Sequence, residues 1–169
     1  MKTTVNGKEC TIEFKTVTEQ DSAGIEEIKQ LFWEYAQSLE IDLGFQDFDT
    51  EFRTLPGNYA EPDGALLLAL VDGQAAGCIA LRKIGEGICE MKRLYVREAY
   101  RGLKMGKKLI ARILEEASQR NYDYMRLDTL ATMTRAYDLY RSFGFYEIAP
   151  YVYNPIPGAI FMERPLKSV

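Results

Sequence analysis

Apolar positions recur along this chain at two periods, and the switches between them lay out its elements. Residues 9–17 (Glu-Cys-Thr-Ile-Glu-Phe-Lys-Thr-Val) alternate polar and apolar, the period of a half-buried strand. From 19 to 40 the period becomes helical. Ile25, Ile28, Leu31, Phe32, Tyr35 and Leu39 fall on one face, and Thr18 with Asp21 resembles a capping box at the start. Residues 41–63 are less regular, with an aromatic-rich short helix at 47–53 and turn chemistry at Pro56-Gly57-Asn58 and Glu61-Pro62-Asp63-Gly64. Strands at 65–71 and 74–83 follow, joined by Asp72-Gly73, a dipeptide suited to the left-handed conformations of a tight hairpin.

A turn at Gly85-Glu86-Gly87 leads into a strand at 88–96. Helical spacing returns from Met105 through Leu109, Ile110, Ile113, Leu114 and Ala117, and ends near 120–121. A strand at 124–130 and a helix at 134–143, stopped by Gly144, come next. The tail, 146–166, has strand-like ends around the loop Asn154-Pro155-Ile156-Pro157-Gly158. The order β-α-α-β-β-β-α-β-α-β-β predicts a single α/β domain over residues 1–169, a mixed sheet of six or seven strands flanked by helices.

Composition narrows what such a domain does. The 169 residues are 47% hydrophobic and 27% charged, the balance of a globular protein with a real core. A net charge of −4 without a long basic run argues against nucleic acid as partner. The longest wholly apolar run, 65–71, is too short to span a bilayer, and the first residues lack the apolar core of a signal peptide. Three cysteines, Cys10, Cys78 and Cys89, sit far apart in apolar segments and read as free thiols in a reducing compartment, the cytoplasm. There is no histidine, so Ser-His-Asp and Cys-His mechanisms are excluded and the commonest zinc-ligand sets are missing. The reading therefore contains no metal. Any general base is a carboxylate, a tyrosine, a lysine or a relayed water.

The chemistry concentrates where the 88–96 strand breaks into the turn carrying Arg101, Gly102 and Gly106 and a helix starts at once. That arrangement aims unpaired main-chain N–H groups and the positive end of a helix dipole at one point, a binding site for phosphate or pyrophosphate. Arg97, Arg101, Lys104, Lys107 and Lys108 make a basic island there, suited to a small polyanion.

Two motifs at fixed spacing carry a resemblance. Val96-x4-Arg101-Gly102-x3-Gly106 resembles the pyrophosphate loop of the GNAT superfamily of N-acetyltransferases. Ala136-Tyr137-Asp138-Leu139-Tyr140-Arg141-Ser142-Phe143-Gly144-Phe145 resembles that family's A-x-x-L-Y-x-x-x-G-F signature. The element order matches from about Thr11 onward. The resemblance implies the GNAT-like acyl-CoA N-acyltransferase fold, acetyl-CoA as cosubstrate and a primary amine as acceptor. It implies that the main chain of Arg101, Gly102, Leu103, Lys104, Met105, Gly106 and Lys107 cradles the pyrophosphate. Leu94, Tyr95 and Val96 would run beside the pantetheine arm, between the 88–96 and 124–130 strands, which splay apart in the family. The N–H near Leu94 would face the thioester carbonyl. Two departures stand out. Lys104 occupies a position where the family often has glycine; a positive φ there would cost lysine about 1 kcal/mol, and the reading favours an ordinary φ. Met133 stands near a position where many relatives have asparagine.

By the same resemblance Tyr140 is the acid for the departing thiolate, since a phenol with pKa near 10 keeps its proton at neutral pH. Glu90 is the base, with Asp128 at the end of the adjacent strand as its rival and a water chain as a third route. Phe32, Tyr35, Phe45, Phe48, Phe52 and Tyr59 read mainly as core and lid packing beside a pocket for the acceptor, and Arg53, Asp42 and Asp47 as surface charge. Residues 151–155 sit where relatives close the acceptor side. The acceptor is expected to be a small or amino-acid-like amine. A peptide amine, a non-catalytic acyl-CoA sensor and a nucleotide-binding protein are the alternatives, and oligomeric state is open, a homodimer included.

Overall fold

Residues Ala65–Val71 form a strand that is apolar at every position because helices cover both of its sides. Ala65, Leu67, Ala69 and Val71 point into one core and Leu66 and Leu68 into another. The computed structural model describes residues 1–39, 43–44 and 47–167. Its elements are β1 (Lys2–Val5), β2 (Lys8–Thr16), α1 (Ser22–Leu39), α2 (Phe48–Thr54), β3 (Ala65–Val71), β4 (Gln74–Gly85), β5 (Ile88–Val96), α3 (Met105–Gln119), β6 (Tyr124–Leu130), α4 (Thr134–Ser142), β7 (Tyr146–Ile148) and β8 (Ala159–Pro165). The strands form one mixed sheet in the order β1-β2-β3-β4-β5-β6-β8-β7. Helix α3, with Tyr140 of α4, packs on one face, and α1 and α2 pack on the other.

The sheet has eight strands among the described residues rather than six or seven. The first is the difference: Asn6 and Gly7, at φ 50° and 77°, fold Lys2–Val5 back on β2. Asn-Gly is a hairpin signal, but the polar residues around it hid the strand. Asp72 and Gly73 take the same left-handed pair of conformations between β3 and β4. Helix α1 begins at Ser22, three residues later than its periodicity suggests. Its start is capped by Asp21 rather than Thr18, with Asp21 Oδ1 accepting the Gly24 N–H at 2.9 Å.

One feature of the sheet positions everything that follows. Parallel strands β5 and β6 pair only over Ile88–Tyr124, Cys89–Met125 and Glu90–Arg126. Beyond that rung β5 stays with antiparallel β4, and β6 stays with antiparallel β8 as far as Leu130–Ala159. The two ladders diverge and leave a wedge open between them. Within it β5 carries a bulge: Ala80 faces Lys92 and Cys78 faces Tyr95, so Arg93 and Leu94 together oppose Ile79. Arg93 supplies the kink at φ 62°. Among the described residues, no helix is long and apolar enough to cross a membrane.

Candidate active site

At the open end of the wedge, β5 runs through a short 3-10 turn (Glu98–Tyr100) to the start of α3. Leu103 and Met105 are buried in the core and pull the turn inward, while Arg101, Gly102, Lys104 and Lys107 face solvent. Gly102 (φ 107°) and Lys104 (φ 57°) both lie in the left-handed region. The ordinary φ expected of Lys104 is therefore corrected: burying the residue on either side requires the kink, and the lysine absorbs it. From Gly102 to Lys107 no main-chain N–H is hydrogen-bonded among the described residues, and the first bonded one is Lys108, to Lys104 O at 3.1 Å. Lys108 Nζ donates to Leu103 O at 2.7 Å and Arg101 Nε to Val96 O at 3.1 Å, which holds these carbonyls with donors of their own. What remains is a concave row of donors at a helix N-terminus, the geometry that binds phosphates. Arg97 does not join this island. Its guanidinium turns to the other face and pairs with Glu34 of α1 at 2.8 Å.

Deeper in the wedge lies a cleft lined by Met91, Lys92, Arg93 and Leu94 of β5, Leu127 to Leu130 of β6, Tyr35, Leu39 and Leu43 on one side, and Met133, Tyr140 and Asn154 on the other. Of the β5 segment expected to meet a pantetheine arm, Leu94 and Val96 pack toward the α3 core. Tyr95 points to the opposite face, edge-on to Tyr35 at 6.3 Å. Tyr140 is 7% exposed, its ring edge-on to Phe145 at 6.0 Å. Its hydroxyl has no hydrogen-bond partner among the described residues. Burial, with Tyr35 and Asp128 nearby, pushes this phenol above its ordinary value. Met133 caps α4 without a side-chain hydrogen bond and adds apolar lining instead.

The two carboxylates considered as bases are placed differently. Asp128 lines the cleft, with one oxygen taken by Asn154 Nδ2 at 3.1 Å. Glu90 is 1% exposed and lies at the last rung of the β5–β6 pair, outside the cleft lining. One Glu90 oxygen accepts from Arg82 Nε at 2.8 Å and the other from the Tyr151 hydroxyl at 2.6 Å, with Lys92 Nζ 3.9 Å away. Tyr151 and Asn154 thus strap the 149–158 segment over the cleft by way of both carboxylates. Arg126 stacks on Tyr151 at 5.3 Å and pairs with Glu163 at 2.9 Å, closing the same junction from the far side.

The aromatics expected beside an acceptor pocket divide in two. Phe32 and Tyr59 pack edge-on in the core at 6.2 Å, and Phe52 is tilted against Phe48 at 6.1 Å. Tyr35 reaches the cleft, and Phe48 stacks on Arg93. Arg53 hydrogen-bonds its own helix at Asp49 O, and Asp47 begins α2. Phe45 and Asp42 lie outside the described residues.

Sequence reading missed a second buried ion pair. Arg93, with its side chain 2% exposed, makes two hydrogen bonds to Glu51 of α2, at 2.9 and 2.7 Å. Tyr59 donates to the same carboxylate at 2.6 Å. The available clue was Lys92-Arg93 itself, since adjacent cations in an apolar strand interrupt its alternation.

A cleft between two splayed parallel strands, with a row of unbonded main-chain N–H groups at its mouth, is the arrangement that the GNAT resemblance implies for an acyl-CoA thioester held against a second substrate. The comparisons agree with this resemblance. Residues 25–145 match the model of the Acetyltransferase (GNAT) family. An uncharacterized N-acetyltransferase of Schizosaccharomyces pombe is 43% identical over 141 residues, 82% of this chain and 86% of that protein. N-acetylaspartate synthetase of Mus musculus is 32% identical over 128 residues, covering 73% of this chain and 43% of that one. The PaiA N-acetyltransferase of Thermoplasma acidophilum, solved with coenzyme A, shares the fold at a TM-score of 0.70, with 18% identity over 92% of this chain and 99% of that one. The chain belongs to the GNAT family and is an acetyl-CoA-dependent N-acetyltransferase.

Proposed function

We propose that this enzyme, as one domain working in the cytoplasm, acetylates the primary amine of a small, amino-acid-like acceptor by direct attack on the thioester. The observation that carries the reading is the wedge itself, which joins a row of unbonded main-chain donors at 102–107 to a cleft where Asp128, Lys92 and Tyr140 meet. The reading assigns the cradle to the pyrophosphate and the open edge of β5 at Leu94, Tyr95 and Val96 to the pantetheine arm. The bulge at Arg93–Leu94 then directs the Leu94 N–H at the thioester oxygen, where negative charge grows as the amine adds. The carbon–nitrogen bond forms, the carbon–sulfur bond breaks, and Tyr140 gives its proton to the departing thiolate.

The base in this reading is Asp128, because it is the carboxylate that reaches the cleft. Glu90, expected in that role, instead holds Arg82 and the Tyr151 strap and lies near Lys92. Burial pushes the Lys92 ammonium below its ordinary value, with the Glu90 carboxylate opposing the shift. Lys92 and Asp128 offer a cation and an anion at the same end of the cleft, which suits an acceptor bearing both a carboxylate and an ammonium. The likeness to an enzyme named for acetylated aspartate supports the same class of acceptor, and the three free cysteines suit a reducing compartment.

A free-CoA assay over amino acids, polyamines, aminoglycosides and peptides tests the acceptor, with acidic and neutral amino acids expected to lead. Turnover of peptides alone would move the acceptor to a protein terminus. Hydrogen exchange at 102–107 tests the cradle: saturating CoA should slow it, and unchanged exchange would sink the assignment.

A further inference from the structure

The strained residue at the centre of the wedge is Arg93, and a buried ion pair from another element holds it. A non-glycine residue at φ 62° in a strand needs its surroundings to keep it there. Here its guanidinium is gripped from three sides. Glu51 takes two parallel hydrogen bonds at 2.9 and 2.7 Å, Tyr35 lies 5.7 Å and Phe48 5.3 Å from the guanidinium carbon, and both aromatics belong to helices on the far face of the sheet. Glu51 is fixed in turn by the Tyr59 hydroxyl at 2.6 Å. The main-chain side of Arg93 is fastened as well, since the Cys78 thiol donates to its carbonyl at 3.3 Å.

We infer that Glu51 is a positioning residue for acetyl transfer, setting through Arg93 the direction of the Leu94 N–H at the β5 bulge. The inference rests on the oxyanion role proposed above for that amide. The fork is rigid and planar, so two parallel bonds fix the orientation of the guanidinium, and with it the left-handed backbone that carries it. A neutral or single-bonded partner would let the bulge relax into the ladder and turn the amide off the line of the carbonyl. Helix α2 would thereby govern the reacting carbonyl without touching it.

The test is Glu51→Gln, which keeps size and shape but loses the charged double bond, with Tyr59→Phe as a milder second variant. Two readouts separate positioning from simple structural support. The first is kcat against KM for acetyl-CoA, where kcat should fall about 10–100-fold with KM within about twofold, part of what removing an oxyanion donor costs. The second is the infrared carbonyl band of ¹³C-acetyl-CoA bound to the enzyme. Wild type should move it to lower frequency than free acetyl-CoA, and Glu51→Gln should lose most of that shift. Tyr59→Phe should show a smaller change of the same sign in both, and it decides the matter if Glu51→Gln does not fold. A variant with wild-type kcat, or one that loses activity with the carbonyl band unmoved, overturns the inference. Absence of acetyl-CoA binding by the wild type would instead overturn the cradle reading, and this inference with it.

Discussion

Replacing Tyr140 by phenylalanine separates chemistry from stability more cleanly than any other change in the cleft. The ring is 7% exposed and packed edge-on to Phe145, and the substitution leaves every carbon of that contact in place. The hydroxyl bonds to nothing among the described residues, so its removal strands no partner. Stability should stay within about 0.5 kcal/mol of wild type, a melting shift of about 2 °C or less for a chain of this size. Activity should not survive so well. A positioned acid contributes about 10²–10⁴-fold, so kcat should drop at least about 100-fold, about 2.7 kcal/mol of barrier, with KM for acetyl-CoA nearly unchanged. Burial, then Tyr35 and Asp128, raise the phenol, so it stays protonated through the neutral range and no wild-type rate limb below about pH 10 belongs to it. Steady-state thiol release from pH 6 to 9, alongside calorimetric melting, measures both. A variant within twofold of wild-type kcat refutes the acid role; one that melts several degrees lower and loses activity in proportion shows that the hydroxyl served the fold and not the proton transfer.

Three other outcomes follow from the site. Lys104→Gly should raise stability by about 1 kcal/mol by relieving the left-handed lysine, whereas Lys104→Ala should not; a Lys104→Gly protein that melts lower than wild type contradicts the strain. Asp128→Asn keeps a polar contact for Asn154 but removes the cleft-facing carboxylate, and kcat should fall about 100-fold; full activity would return the base to Glu90 or a water chain. Glu51 also has a pH signature. Burial pushes its carboxyl up, but the Arg93 hydrogen bonds and charge, the Tyr59 hydrogen bond and the nearby Lys92 together outweigh that and leave it below the ordinary carboxylate value. Its stabilisation is therefore present above about pH 4.5 and lost as pH falls through the lowered value. The melting gap between wild type and Glu51→Gln should narrow between pH 6 and 3.5, and a constant gap would contradict the linkage.

The elements that sequence reading found share one property, a period long enough to be read locally. Helix α3 and strands β3, β5 and β6 are of this kind, and their bounds came out as expected. The turn at 101–106 and the helix start after it were legible for the same reason, because glycine spacing and a helix start are local events. Strand β1 was not, because four residues with few apolar side chains carry no period, and only Asn6-Gly7 announced it. The polar groups around the cleft were the least legible part. Glu90 was expected as the base with Asp128 as its rival, and only the parallel register, ending at Glu90–Arg126, shows that Glu90 lies at the last rung and Asp128 beyond it. Arg93 and Glu51 lie 42 residues apart, and nothing local relates them.

In the reading proposed above, phosphate recognition would be a property of the polypeptide itself, since the amides at 102–107 are unbonded whatever side chains they carry. The other end of the wedge depends on individual groups: Tyr151 bonds Glu90 at the fork, and Asn154 bonds Asp128 within the cleft. A lysine can stand in for a glycine at the first without abolishing its geometry. At the second, each exchange would remove a specific hydrogen bond. On the proposed reading, a change of acceptor would come through the 149–158 segment, with the thioester machinery left as it is.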